Sequence, residues 1–202
     1  MSAIDDAVAA IRAGRAVVLP FDTVYGLAAD PHHEAPTRRL YLLKGRPATQ
    51  PSALVARDVD QLVECVPELG GDAEAVAREL LPGPYTLIFP NPRQRLPWLT
   101  GTNPNAIGVR VPSVIGAAAE VLTRVGAVVA TSANRPGEPD PATLDDVPAE
   151  IRDEVVAVDG GVLPGMPSTV IDLSGDEPRV LREGAVPAAE ALRRLRARVR
   201  SG

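Results

Sequence analysis

Short apolar runs of strand length, each closed by proline, glycine or a polar cluster, recur along the chain and constrain its fold more than any other feature. Ala16-Val17-Val18-Leu19-Pro20, Ser52 to Ala56, Tyr85 to Phe89, Ile107 to Val111 and Ala127 to Thr131 are too short for core helices, so each reads as a buried strand. Val24 to Ala29 continues extended. Helical spacing fills the intervals. Ile4, Ala7, Val8 and Ile11 share one face of a segment that Ser2 caps, with Asp5 three residues on, and that Gly14 stops. Further helices are predicted over 36–44, with Leu40 and Leu43 inward, over 58–65 and over 72–81, the last cut by Pro82-Gly83-Pro84. Another runs from a cap at Ser113 to Gly126. Ser168 to Leu173 and Arg179 to Leu181 are close enough in sequence for a hairpin, and Pro187 stands at a first helical position of a terminal helix to about residue 200. Strands alternating with helices predict an α/β fold, a mixed sheet covered by helices. No repeat or composition break divides the 202 residues, which suit a single domain over 1–202 able to bury roughly 70% of its unfolded surface.

The single cysteine, Cys65, excludes an internal disulfide and reads as a small buried hydrophobe in a reducing compartment. The first residues lack the basic and apolar regions of a signal peptide, and no run approaches the roughly 20 apolar residues of a membrane span, so a cytoplasmic protein is expected. Net charge is −5, yet the tail from Arg193 to Gly202 is rich in arginine and free of acid. Such a tail complements the negative end of a helix and offers a possible RNA contact. The acidic body argues against broad electrostatic RNA binding.

Several chemistries are excluded because their spacings are missing: there is no GxxxxGK[ST] loop, no GxGxxG, no HExxH and no GxSxG. The adjacent His32 and His33 lack the partners of a metal site, and no metal ligand set is expected. Polar residues instead follow the apolar strands. Asp22, Thr23 and Tyr25 come directly after the first, and Ser132 and Asn134 after the Ala127 strand; Ser168 and Thr169 open another. Lys44 is the one lysine among 21 basic residues, and the chain otherwise uses arginine. A compact ammonium suits a phosphate or small anion better than a planar fork does. Gly45 and Pro47 hold Arg46 beside it, near a helix C-terminus. Arg110, inside an apolar strand, requires an anionic partner, either an internal carboxylate or a substrate carboxylate, and Arg182 raises the same question. These residues describe an α/β protein with a pocket for an anionic ligand and do not name a reaction.

PFDTVYGLAAD, LKGRP, LPGPYTLI, IGVRVP, ATSANRPGEP, PSTVIDL and VLREGAV resemble, in order and spacing, the blocks of the YrdC-like family, the threonylcarbamoyl-AMP synthases, over about residues 15–187. The chain is similar to the short, single-domain form. The resemblance implies a twisted mixed sheet with a substrate cavity on one face. It implies a reaction in which L-threonine, bicarbonate and ATP give threonylcarbamoyl-AMP, pyrophosphate and water. Other proteins, the downstream partners, pass the threonylcarbamoyl group to adenosine 37 of tRNA. It also implies roles. Thr23, Arg110, Ala130 and Ser168 would hold threonine; Lys44 and Arg46 would face the ATP phosphates as catalytic cations; Ser132, Asn134 and Arg182 would bind the nucleotide. Mg²⁺ is expected on the triphosphate, held mainly by ATP and water. The chain departs from the family pattern at Phe21 and Ala106, where the family places threonine, and at Val55, where long-form relatives place histidine. A non-catalytic relative that binds nucleotide or RNA is the alternative reading, and retention of the Lys44-Gly45-Arg46 and Ser132-Ala133-Asn134 triplets, which match the family's two signature elements, favours the enzyme.

Overall fold

The helix-start pattern at Ser2 forms as a full capping box in the computed structural model, which describes residues 2–199, the side chains of 197–199 excepted. Ser2 Oγ accepts the Asp5 N–H at 3.2 Å while the Asp5 carboxylate accepts the Ser2 N–H at 3.0 Å. These bonds hold the Asp5 carboxyl down to about 2. A depressed carboxyl contributes stability that is present above the ordinary carboxylate range and is lost as pH falls through about 2. Ser2→Ala is therefore expected to lower the thermal midpoint by about 2–4 °C at neutral pH, with the deficit shrinking below pH about 4, as followed by circular dichroism.

The elements are α1 (Ala3–Arg12), β1 (Val17–Pro20), β2 (Tyr25–Ala29), α2 (Glu34–Lys44), β3 (Ala53–Ala56), α3 (Val59–Cys65), α4 (Asp72–Leu80) and β4 (Tyr85–Pro90). They continue with β5 (Ala106–Arg110), α5 (Gly116–Val125), β6 (Ala127–Ser132), α6 (Ala149–Arg152), β7 (Val156–Ala157), β8 (Thr169–Asp172), β9 (Arg179–Arg182) and α7 (Ala188–Val199). Together the strands make one open, mixed sheet in the order β7-β1-β2-β6-β3-β5-β4-β8-β9. β3 and β5 are parallel, as are β4 and β8, whereas β2, β6 and β3 are mutually antiparallel neighbours. The predicted hairpin is present, β8 pairing antiparallel with β9.

Strand alternation gives the sheet two unlike faces. Leu27, Val129, Leu54, Val109, Leu87 and Ile171 point to one face and form the main core with α2, α3, α4 and α7. Val17, Ala28, Val128 and Val55 point to the other, where α1 and α5 pack together over β1, β6 and β7. Those two helices cover only part of their face. Across β3, β5, β4 and β8 the same face is left as the floor of a cavity.

Some sequence expectations need correction. Ser113 does not cap α5; Ile115 occupies that position without a side-chain bond, and the Ser113 N–H donates to Asp22 Oδ2 at 2.8 Å. The helix begins only at Gly116, because the chain leaving β5 is tied to that carboxylate. Cys65 is half-buried, and burial raises its thiol pKa. The two-residue β7 has no strand signal of its own and forms by pairing with β1. In the arginine-rich tail, Arg194 pairs with Glu190 at 2.7 Å. The side chain of Arg198 and residues 200–202 lie outside the described residues, so the RNA contact expected of the tail falls partly there. Among the described residues, no helix is long and apolar enough to cross a membrane.

Candidate active site

Small residues make the cavity. Gly26, Ala130, Ala53 and Gly108 sit on adjoining strands of one face, and their missing side chains leave about 460 Å³ above the sheet. Longer polar side chains from strand ends ring this floor, among them Thr23, Arg46, Arg110, Ser132, Ser168 and Arg182. Ala130 contributes wall and backbone.

Arg110 finds the internal partner that its place in an apolar strand demanded. Its Nη2 donates to Asp22 Oδ1 in a short ion pair and to Thr23 Oγ1 at 2.7 Å, and both side chains of the pair are about nine-tenths buried. The segment after β1 thus supplies a carboxylate and a hydroxyl that aim one guanidinium. Arg110 stands opposite Thr86 in the sheet, whose Oγ1 lies 2.8 Å from Ser168 Oγ. Ser168 in turn receives Arg182: Nη2 donates to its carbonyl at 2.8 Å and to its hydroxyl at 3.2 Å. Burial lowers the Arg182 pKa, opposed by the nearby Asp140 carboxylate and assisted by repulsion from Arg110. Thr23 with Arg110, and Ser168 with Arg182, therefore stand as two hydrogen-bonded pairs that line one cavity, with the two guanidiniums near enough to repel.

A second group lies where α2 meets β6. Gly45, at φ 72°, ends α2 in the left-handed region, and the chain turns so that Arg46 Nη1 donates to Thr131 Oγ1 at 2.7 Å. Arg46 Nη2 donates to the Pro51 carbonyl, and its guanidinium lies 5.7 Å from the Tyr41 ring centre. Burial lowers the pKa of this cation. Ser132 Oγ donates to Asn134 Oδ1 at 2.6 Å.

Lys44 differs from expectation. It is 5% exposed, does not line the cavity, and donates to the carbonyls of Ser132 and Asn134 and to Asn134 Oδ1 at 2.6–2.8 Å. Burial lowers its pKa to about 8, with Arg46 adding to the shift and Asp140 opposing it. Asn134 also stands behind the cavity, its Nδ2 donating to the Glu138 carbonyl at 2.6 Å. Lys44 and Asn134 thus support Ser132, which alone of the three faces the open volume.

Asp22 and Asp140 are the charged residues sequence reasoning left without a role. A buried arginine in a strand implies a nearby carboxylate but does not say which one. Phe21, Val55 and Ala106, the departures from the family pattern, all line the same cavity and make its walls more apolar. His33 pairs with Asp30 at 2.6 Å on the surface, and neither histidine lines the cavity. Among the described residues, no three His, Cys, Asp or Glu side chains gather as a metal-binding group.

A family model for the Sua5, YciO and YrdC proteins, described as "Telomere recombination", matches residues 9–184. The chain belongs to this family. Among YrdC-like relatives, the threonylcarbamoyl-AMP synthase of Chromohalobacter salexigens is 36% identical over 176 residues, covering 86% of this chain and 94% of the relative. That of Pyrococcus abyssi is 33% identical over 182 residues, 89% of this chain, which spans about half (53%) of the longer archaeal protein. In three dimensions the chain is similar to P. abyssi Sua5 complexed with L-threonine, with a TM-score of 0.86 and 32% identity over 95% of this chain and 57% of that one. E. coli YciO superposes with a TM-score of 0.79 at 27% identity, over 91% of this chain and 90% of the other.

Proposed function

We propose that this YrdC-like protein is a threonylcarbamoyl-AMP synthase. The observation that carries the reading is the cavity itself, lined together by the hydrogen-bonded pairs Thr23–Arg110 and Ser168–Arg182 and by Arg46 and Ser132. Its fold is that of a relative crystallised with L-threonine. In this reading Arg110 holds the threonine carboxylate, Thr23 and Ser168 offer hydroxyls to its polar atoms, and Ala130 packs against it. Arg46, Ser132 and Arg182 take the nucleotide.

The threonine amine attacks bicarbonate, and loss of water leaves a carbamate. A carbamate oxygen attacks the α-phosphorus of ATP, the bond to the bridging oxygen breaks, and pyrophosphate departs. Negative charge on phosphoryl oxygens is met by buried guanidiniums, whose field is strong where water is excluded. Holding the carbamate beside the α-phosphorus provides much of the remaining acceleration. No side chain at the cavity stands as a dedicated general base. Mg²⁺, carried on the triphosphate, would supply further charge neutralisation; of the two carboxylates that line the cavity, Asp172 is paired with Arg179, and Asp140 is the one that would meet such a complex. The product would serve tRNA modification through downstream threonylcarbamoyl-transfer proteins.

The test incubates the protein with ATP, bicarbonate and either threonine or serine and follows pyrophosphate. Release is expected to depend on threonine and to be about 10-fold or more weaker with serine, which lacks the methyl that Phe21 and Val55 would contact. Release independent of the amino acid ends the synthase reading.

A further inference from the structure

Building on the synthase reading, we infer that Lys44 is a positioning residue: it is a strut that sets the Ser132-Ala133-Asn134 turn, and it does not act on the phosphates. An ammonium has three N–H donors. Here they go to the Ser132 carbonyl at 2.6 Å, the Asn134 carbonyl at 2.8 Å and Asn134 Oδ1 at 2.8 Å. None is left for a phosphate. The strut reaches the cavity through one relay, because Asn134 Oδ1 also accepts the Ser132 hydroxyl at 2.6 Å and so fixes the direction of a side chain that lines the open volume. Lys44 thereby ties the last turn of α2, which Arg46 follows, to the end of β6, which carries Ser132.

Acceptors converging on a single point from three directions suit a tetrahedral ammonium; a guanidinium spreads its donors in one plane. That geometry accounts for a lysine persisting in a chain that otherwise uses arginine. The charged groups near it are Arg46 and Asp140, together with Arg135, whose Nη1 donates to the Leu43 carbonyl at 3.4 Å while its Nε pairs with Glu150 at 2.9 Å. Burial, with Arg46 adding to it, lowers the lysine pKa, as expected of an ammonium held away from water.

Substitutions separate the strut from a phosphate contact. Lys44→Met is expected to lower threonine-dependent kcat/KM about 100-fold, as a small misplacement of a reacting-site group does. Lys44→Arg is expected to be equally poor although it keeps the charge. Adding Asn134→Ala to Lys44→Met should cost less than about threefold more, whereas adding Arg46→Gln should multiply the losses. In ligand-free protein, hydrogen exchange across residues 132–138 should accelerate in Lys44→Met while α1 is unchanged. Recovery of turnover in Lys44→Arg, independent effects of Lys44 and Asn134, or unchanged exchange in the turn would each overturn the strut. The exchange measurement needs no reaction. It therefore still decides the strut if wild-type protein shows no threonine-dependent pyrophosphate release, a result that would defeat the synthase reading alone.

Discussion

Arg110→Gln is expected to abolish detectable threonine-dependent turnover and to destabilise the fold by about 3–5 kcal/mol, the usual cost of removing one partner from a buried ion pair. Asp22 would keep the Ser113 N–H but lose its counter-ion in a position where its side chain is 8% exposed. Thr23 Oγ1 would lose the same donor. Chemical denaturation at neutral pH should show the deficit. Asp22→Asn added to Arg110→Gln should recover most of the stability and none of the activity. Full stability in Arg110→Gln would mean that the ion pair contributes little to the fold; ordinary threonine affinity would remove Arg110 from the substrate site.

Gly108→Val should produce the opposite division, an inactive protein that folds at least as well as wild type. Gly108 lies on the cavity floor, and a Cβ built there meets Thr86 Cγ2 at 3.7 Å and Ala53 Cα at 4.0 Å, ordinary contact distances. Valine suits a strand better than glycine, with a propensity gain of up to about 1 kcal/mol. Its methyls would occupy the space left open for ligands. We expect a thermal midpoint unchanged or raised, with threonine and ATP binding lost in calorimetry. Normal binding would mean that the ligands do not rest on this part of the sheet.

The parts of the fold that were legible in the sequence are those whose apolar periodicity is strong. β1 and β6 were readable from Val17-Val18-Leu19 and Val128-Val129 because strands covered on both faces need continuous apolar runs. β7 was not, since two residues held by a neighbouring strand carry no pattern. The Ser113 cap was misread because residue type suggested a cap while Asp22, ninety-one positions away, takes the local N–H. The same limit governs the site. Residue types indicated that Lys44, Arg46, Arg110 and Arg182 belong to one pocket for an anionic ligand, and Arg46, Arg110 and Arg182 do line one cavity. Composition could not indicate that the Lys44 ammonium is spent on the Ser132-Ala133-Asn134 turn, nor that Asp22 is the counter-ion of Arg110, because both depend on how distant segments meet.

The strand order carries a consequence for how the protein comes into being. Several neighbours in the sheet are far apart in the chain: β1 lies against β7, β2 against β6, and β4 against β8. Such non-local pairing makes folding slow for the size of the domain. Cavity walls run from Phe21 to Arg182, so the complete pocket needs nearly the whole chain. Substrate cannot template the early stages. Once the last strands arrive, ligand binding stabilises the whole sheet at once by mass action. Cellular substrate levels would then govern the lifetime of the finished protein and leave its rate of production untouched.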